Sequence, residues 1–224
     1  MTTFSLRTDK ISQKTRPALL ICVFLLSLAT PVSLLPAPCH CADIELPEIS
    51  YGKENPAGLK ILVAYATRAG STAEVARAIG KKLAENGAAV DVKPIKKIRG
   101  FSGYQAIVLG SAIRRGAVLP EITNFIETNK SELEKITVAC FIVCMILREN
   151  NQENREKAAS YLAPLRTEIA FVDIGLFAGK LDYSKLSSVD AFVVKNFIGT
   201  PEGDMRDWRE INDWAKNLGK KLRK

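Results

Sequence analysis

The stretch KILVAYATRAGSTAEVARAIGKKLAENG, Lys60 to Gly87, decides how the rest of the chain folds. Its apolar run Ile61-Leu62-Val63-Ala64-Tyr65 has the length of a buried strand, and the Pro-free segment from Ser71 onward favours a helix. Between them lie Ala66-Thr67-Arg68-Ala69-Gly70-Ser71-Thr72, small and hydroxylated residues that turn the strand directly into the helix. The first N–H groups of such a helix lack intrahelical acceptors, and its dipole puts partial positive charge there. Gly70 allows close backbone approach, and Thr67, Ser71 and Thr72 add hydroxyls, so the turn can cradle a phosphate. The plainer alternative is a helix start capped by its own side chains. Neither the G-x-G-x-x-G of dinucleotide folds nor the G-K-[ST] of nucleotide triphosphatases is present in the turn.

Downstream the chain alternates between strand-like and helix-like segments, the pattern of a parallel sheet covered on both faces. The second strand is expected over Ala88 to Val92, stopped by Pro94, and the third over Ala106 to Leu109, ending in a loop from Gly110 to Gly116. A helix follows from Pro120 to Glu134, then a fourth strand from Ile136 to Val143, a polar loop and a helix to Leu162. The fifth strand is expected over Ile169 to Ile174, extending toward Phe177. A short, very apolar helix spans Ser188 to Ile198 and reads as core. The last helix spans Asp204 to Leu222, with Trp208, Ile211, Trp214, Ala215 and Leu218 facing inward. Five strands with the phosphate-type turn after the first suit an α/β doubly wound parallel sheet of order 2-1-3-4-5, with helices on both faces. Ligands of such sheets bind at the carboxyl ends of the strands where the order reverses. The loops after Ala66, Gly110 and Val143 are therefore expected to converge on one crevice.

The 224 residues suffice for that domain and an N-terminal appendage. Residues 1–42 carry Arg7, Lys10, Lys14 and Arg16 before a run of twelve residues, Ala18 to Ala29, which is apolar but for Ser27. That run is short for a membrane span of about 20 residues and suits an export signal or an uncleaved anchor; either places the domain on the non-cytoplasmic side. Residues 43–58 are expected to be a linker and 59–224 the domain. Net charge is +8, with +3 in residues 1–42 and +5 in the remainder. Basic residues concentrate at Lys93, Lys96, Lys97 and Arg99 and at the C-terminus. Without interleaved aromatics they do not suit nucleic acid, and an anionic membrane surface is the better partner. Five cysteines do not make a disulfide scaffold in a chain this long. Cys140 and Cys144 on one extended strand lie about 13 Å apart, too far to bridge. Cys39-His40-Cys41 is too short to supply a four-ligand metal site, so no metal is expected there.

From Leu59 to Leu222 the chain resembles the flavodoxin-like family, whose first loop reads approximately [ST]-x-T-G-x-T. Here the loop is Thr67-Arg68-Ala69-Gly70-Ser71-Thr72, with Ala69 where a Thr is usual. The Gly110–Gly116 segment, the Gly203-Asp-Met-Arg-Asp-Trp-Arg-Glu-Ile211 segment and the apolar helix before it are similar to the subgroup containing menaquinone-dependent protoporphyrinogen oxidase. The resemblance implies an FMN whose phosphate is held by Thr67, Arg68, Ala69, Gly70, Ser71 and Thr72. Ser111, Ala112, Ile113, Arg114, Arg115 and Gly116 would line one side of the flavin ring, and Cys144, Met145, Ile146 and Leu147 the other. It also implies a redox enzyme, with a porphyrinogen as donor and a membrane quinone or redox protein as acceptor. Two guanidiniums, Arg114 and Arg115, suit a propionate-bearing substrate, their plainer alternative being a solvated surface. No His or paired acid in the domain reads as a proton shuttle, so no catalytic side chain is named. The segment after the fourth strand lacks the usual flavin-stacking aromatic, with Met145, Ile146 and Leu147 in its place. Two alternatives stay open: a membrane-tethered electron carrier, and a flavin-free binding domain that kept the fold.

Overall fold

The computed structural model describes residues 46–54, 58–186, 188–198 and 201–223. The expected leader, residues 1–42, and the Cys39-His40-Cys41 triplet lie outside them.

Strands and helices succeed one another as β1 (Ile49–Tyr51), β2 (Lys60–Ala66), α1 (Ser71–Glu85), β3 (Ala89–Pro94), β4 (Ala106–Arg114), β5 (Ala117–Val118), α2 (Pro120–Leu133), β6 (Thr137–Cys144), α3 (Gln152–Ser160), α4 (Ala163–Glu168), β7 (Ile174–Ala178), β8 (Lys180–Leu181), α5 (Ser188–Val193), β9 (Gly203–Asp204) and α6 (Trp208–Lys221). The central sheet runs β1-β3-β2-β4-β6-β7. Its parallel strands β3-β2-β4-β6-β7 have the expected order 2-1-3-4-5. The strands are apolar on both faces because both faces are covered. Along β2, Ile61, Val63 and Tyr65 pack toward α1 and α6, where Val75, Ile79, Leu83, Ile211, Ala215 and Leu218 meet them. Leu62, Ala64 and Ala66 face the other layer, built with Ile122, Ile126 and Leu133 of α2, Ala158 of α3 and Leu165 of α4.

Several expectations change in detail. Within the expected linker, Ile49–Tyr51 adds an antiparallel strand to the edge strand β3, pairing Ile49 with Val92 and Tyr51 with Val90. The fifth parallel strand begins at Ile174, where its pairing with Cys140 starts, and runs to Ala178. The expected Gly110–Gly116 loop is largely strand. β4 runs to Arg114 and reverses through Arg115 and Gly116 into β5, with Ile113 opposite Val118 and Arg114 opposite Ala117. Arg115 (φ 51) and Gly116 (φ 75) are both left-handed, which gives the two-residue turn whose twist matches a hairpin. The glycine that matters before it is Gly110, since a Cβ there would lie 2.2 Å from the Phe141 ring.

Among the described side chains of the apolar Ser188–Ile198 segment, Val189 and Phe192 are not core. Val189 is 66% and Phe192 60% exposed, on the segment that connects β8 to β9. Trp208 does not face inward either. It is 38% exposed at the start of α6, while Trp214 packs edge-on against Phe177 (5.5 Å between centroids) and Phe141 (6.4 Å). Cys140 and Cys144 carry free, buried thiols. Among the described residues no helix is long and apolar enough to cross a membrane. Part of the positive charge is neutralised locally, Lys93 by Glu48 and Lys221 by Asp173.

Candidate functional site

Parallel register brings the carboxyl ends of the strands side by side. Ala66 of β2 is level with Ser111 of β4, Ala112 with Val143 of β6, and Cys144 with Ala178 of β7. At about 4.8 Å between strands, the turns leaving β2, β4 and β6 open along one sheet edge. The three candidate segments therefore meet at the switch point, as the strand order requires.

The turn after β2 ends on Gly70, the N-cap of α1, with φ 89 and ψ −20. This left-handed conformation strains most residues with a Cβ, and it leaves the helix without a side-chain cap. The plainer alternative of a self-capped helix start therefore fails. Thr67 does not reach the helix N–H groups: its Oγ1 accepts from the Gly70 N–H at 3.0 Å and closes the turn. The Gly70 carbonyl accepts from the N–H groups of Ala73 (3.0 Å) and Glu74 (3.2 Å). Ser71 and Thr72 are the first two residues of α1, so their N–H groups have no intrahelical acceptor. Thr72 is fully buried, and its Oγ1 lacks a hydrogen-bond partner. A buried hydroxyl without a partner costs about 1–3 kcal/mol, so its persistence here needs a reason. An anion seated on the turn supplies one. These groups fit the phosphate of FMN.

Arg68 has a partner that the sequence did not suggest. Its guanidinium makes a two-point contact with Glu121 at the start of α2 (2.8 and 2.9 Å), and Lys96 joins at 3.4 Å. The hydrogen bond from Arg68 holds the Glu121 carboxyl down at about 2. Arg68 thus ties the turn to α2. Ser111 is likewise committed. Its buried hydroxyl donates to the Ala112 carbonyl (2.8 Å) and accepts from the Leu119 N–H (2.9 Å), bracing the hairpin against the entry to α2. Ala112, Ile113 and Arg114 are half-buried, and Arg115 and Gly116 are exposed at the hairpin tip.

After β6, residues Met145–Arg148 form one 3-10 turn. Leu147 is buried in the core and Met145 and Ile146 are half-buried, so the latter two are the residues of this turn able to meet a ring. Burial pushes the Cys144 thiol up from its ordinary value, and Cys140, sealed in the core, up to about 12. Buried thiols of this kind are structural rather than reactive.

One buried side chain beside the turn was not expected from the sequence. Arg206, just before α6, is buried beside the first turn of α1. It donates to both Asp204 oxygens (2.7 and 2.5 Å), contacts Glu74 at 2.9 Å and the Ser71 carbonyl at 3.4 Å, and lies 4.4 Å from the Trp208 ring centroid. The alternating Asp204-Met205-Arg206-Asp207 is its sequence signal, and charge alternation alone does not distinguish a buried clamp from a solvated loop.

A family model for the flavodoxin domain matches residues 62–206. The chain is 22% identical over 173 residues to protoporphyrinogen IX dehydrogenase [quinone] of Escherichia coli K12, covering 71% of this chain and 94% of that one. It is 26% identical over 163 residues to the Leishmania major protein of the same name, covering 70% of each. Among solved structures, a short-chain flavodoxin associated with a bacterial microcompartment aligns with TM-score 0.49 and 15% identity, over 73% of this chain and 99% of that one. With residues 62–206 matched and the strand order of the fold in place, the chain belongs to the flavodoxin domain family, whose cofactor is FMN.

Proposed function

We propose that the protein is an FMN-dependent oxidoreductase that takes electrons from a porphyrinogen and delivers them to a quinone. The observation that carries the cofactor half is the uncapped α1 start with its unpartnered Thr72 hydroxyl at the switch point of the sheet. When bound, the flavin supplies the hydride acceptor, and the chemistry is its own. The chain's residues bind and orient. The Ser71 and Thr72 N–H groups and the Thr72 hydroxyl take the phosphate, while the β4–β5 hairpin and the Met145–Ile146 turn flank the ring.

The donor half rests on resemblance to the two dehydrogenases and on Arg114 and Arg115 at the hairpin. Each guanidinium can meet a carboxylate at two points, which suits a propionate better than a neutral donor. The acceptor half draws support from Val189 and Phe192, exposed on α5 with Lys185 and Lys195 nearby in sequence. Apolar side chains bordered by lysines suit an anionic bilayer surface from which a quinone would be drawn.

The test is anaerobic incubation of the FMN-loaded protein with protoporphyrinogen and a quinone analogue, following porphyrin by its fluorescence. Porphyrin formation that requires both FMN and quinone is expected, with R114A/R115A raising KM. Flavin that stays oxidised in the presence of the porphyrinogen would end the donor assignment while leaving the cofactor in place.

A further inference from the structure

Glu74 sits in the first turn of α1, where a carboxylate favours the helix dipole and competes with any anionic ligand for the same field. Asp204 brings a second carboxylate to that turn through Arg206. Between them stands one cation, and the Arg206 side chain is only 2% exposed. A guanidinium so buried persists because its partners surround it: two hydrogen bonds to Asp204, the Glu74 contact, the Ser71 carbonyl and the face of Trp208. These partners come from separate parts of the fold. Glu74 and Ser71 belong to α1, whereas Asp204 lies on β9, paired with β8, and β8 and β9 bracket the segment carrying α5. The Met205 N–H also donates to the Gly179 carbonyl at 3.1 Å, fixing the same strand to the end of β7.

We propose that Arg206 is a positioning residue that makes the acidic first turn of α1 compatible with a phosphate and couples that turn to the β8–β9 ribbon. This rests on the reading that the turn holds the FMN phosphate. Arg206 keeps Glu74 beside its own charge rather than over the Ser71 and Thr72 N–H groups. Without it, two unscreened carboxylates flank the turn and repel a dianion. Because the same guanidinium grips Asp204, phosphate binding tightens the ribbon at the base of the α5 segment, and a loosened ribbon weakens phosphate binding.

The experiment uses the full-length protein as wild type, R206M, R206K, E74Q and R206M/E74Q, with FMN titration and amide hydrogen exchange as readouts. R206M is expected to weaken FMN by about tenfold or more, with R206K intermediate because an ammonium keeps charge but not the two-point grip. Adding E74Q to R206M is expected to recover most of the loss, and E74Q alone to bind at least as tightly as wild type. Without FMN, R206M is expected to exchange faster than wild type both in residues 71–76 and in 203–206. Equal FMN affinity in R206M and wild type, or a loss that E74Q does not reduce, would overturn the positioning role. Should wild type itself bind no FMN, the cofactor reading fails, and the ligand-free exchange comparison still decides the coupling: unchanged protection in R206M overturns it, and loss in both segments supports it.

Discussion

Replacing Thr72 by Val removes the hydroxyl and keeps the shape, and the structure assigns opposite signs to its two effects. In the ligand-free protein the Oγ1 is buried without a partner, so wild type carries a desolvation cost of about 1–3 kcal/mol that Val does not. T72V is therefore expected to be as stable as wild type or more so. At roughly 2–4 °C per kcal/mol for a domain of this size, a gain of several degrees in melting temperature is within reach. With FMN the sign reverses, because the hydroxyl then meets a charged acceptor. A hydrogen bond to a charged group contributes about 1.5–3 kcal/mol, which at 1.4 kcal/mol per decade is a loss of about 10- to 150-fold in affinity. The assay is a paired one: thermal melts of the ligand-free proteins, and FMN titration by quenching of flavin fluorescence. A T72V protein that melts well below wild type yet binds FMN equally would refute the reasoning, since the hydroxyl would then serve the fold and not the ligand.

Other substitutions separate charge, strain and packing. G70D is expected to abolish FMN binding by placing a carboxylate at the helix start, with repulsion of several kcal/mol if water is excluded. G70N, which also tolerates the φ of 89 there, should lose far less; equal losses would assign the effect to shape. Glu121 titrates near 2 in the folded protein, so the unfolded chain binds the extra proton and the Arg68 pair stabilises the fold above the ordinary carboxylate value of 4.5. That contribution should fade as pH falls from 4.5 toward about 2. E121Q is expected to flatten the pH dependence of the unfolding free energy from urea melts across that window, by about 1 kcal/mol or less given partial exposure; an unaltered pH profile would contradict it. G110A drives a methyl into the Phe141 ring and is expected to lower the melting temperature by about 3–10 °C for a cost of about 1–3 kcal/mol. FMN affinity should stay unchanged in G110A, and a stable G110A would show that Phe141 can move aside.

The succession of strands and helices and the left-handed turn into α1 were legible because both are local, and the order 2-1-3-4-5 followed from the rule for doubly wound sheets. A doubly buried strand is a continuous apolar run, and Gly70 stands where the chain must turn left-handed before a helix. What depends on distant partners was not. Gly110 and Gly116 punctuate the sequence like a loop, but Gly110 is small to admit the Phe141 ring and only Gly116 turns the chain. Ser111 is expected beside the flavin ring, and the commitment of its hydroxyl to the Leu119 N–H, eight residues away, depends on a hairpin the sequence does not announce. Arg68 is expected at the phosphate, and its pairing with Glu121 of α2, 53 residues away, is not visible in the sequence. Ile49–Tyr51 is too short and too near prolines to announce a strand, and its pairing with β3 decides the matter. An apolar helix such as α5 is expected in the core because periodicity shows composition, not which surface lies opposite.

The central claim is that the uncapped start of α1 grips the phosphate of FMN. Its most direct test is isothermal titration of the purified, flavin-stripped protein with FMN and, in parallel, with riboflavin, which has the ring without the phosphate. Saturable one-to-one binding of FMN, with riboflavin weaker by at least about a hundredfold, is expected for a site whose anchor is the anion. Equal affinity for the two, or no saturable binding of either, would contradict the claim.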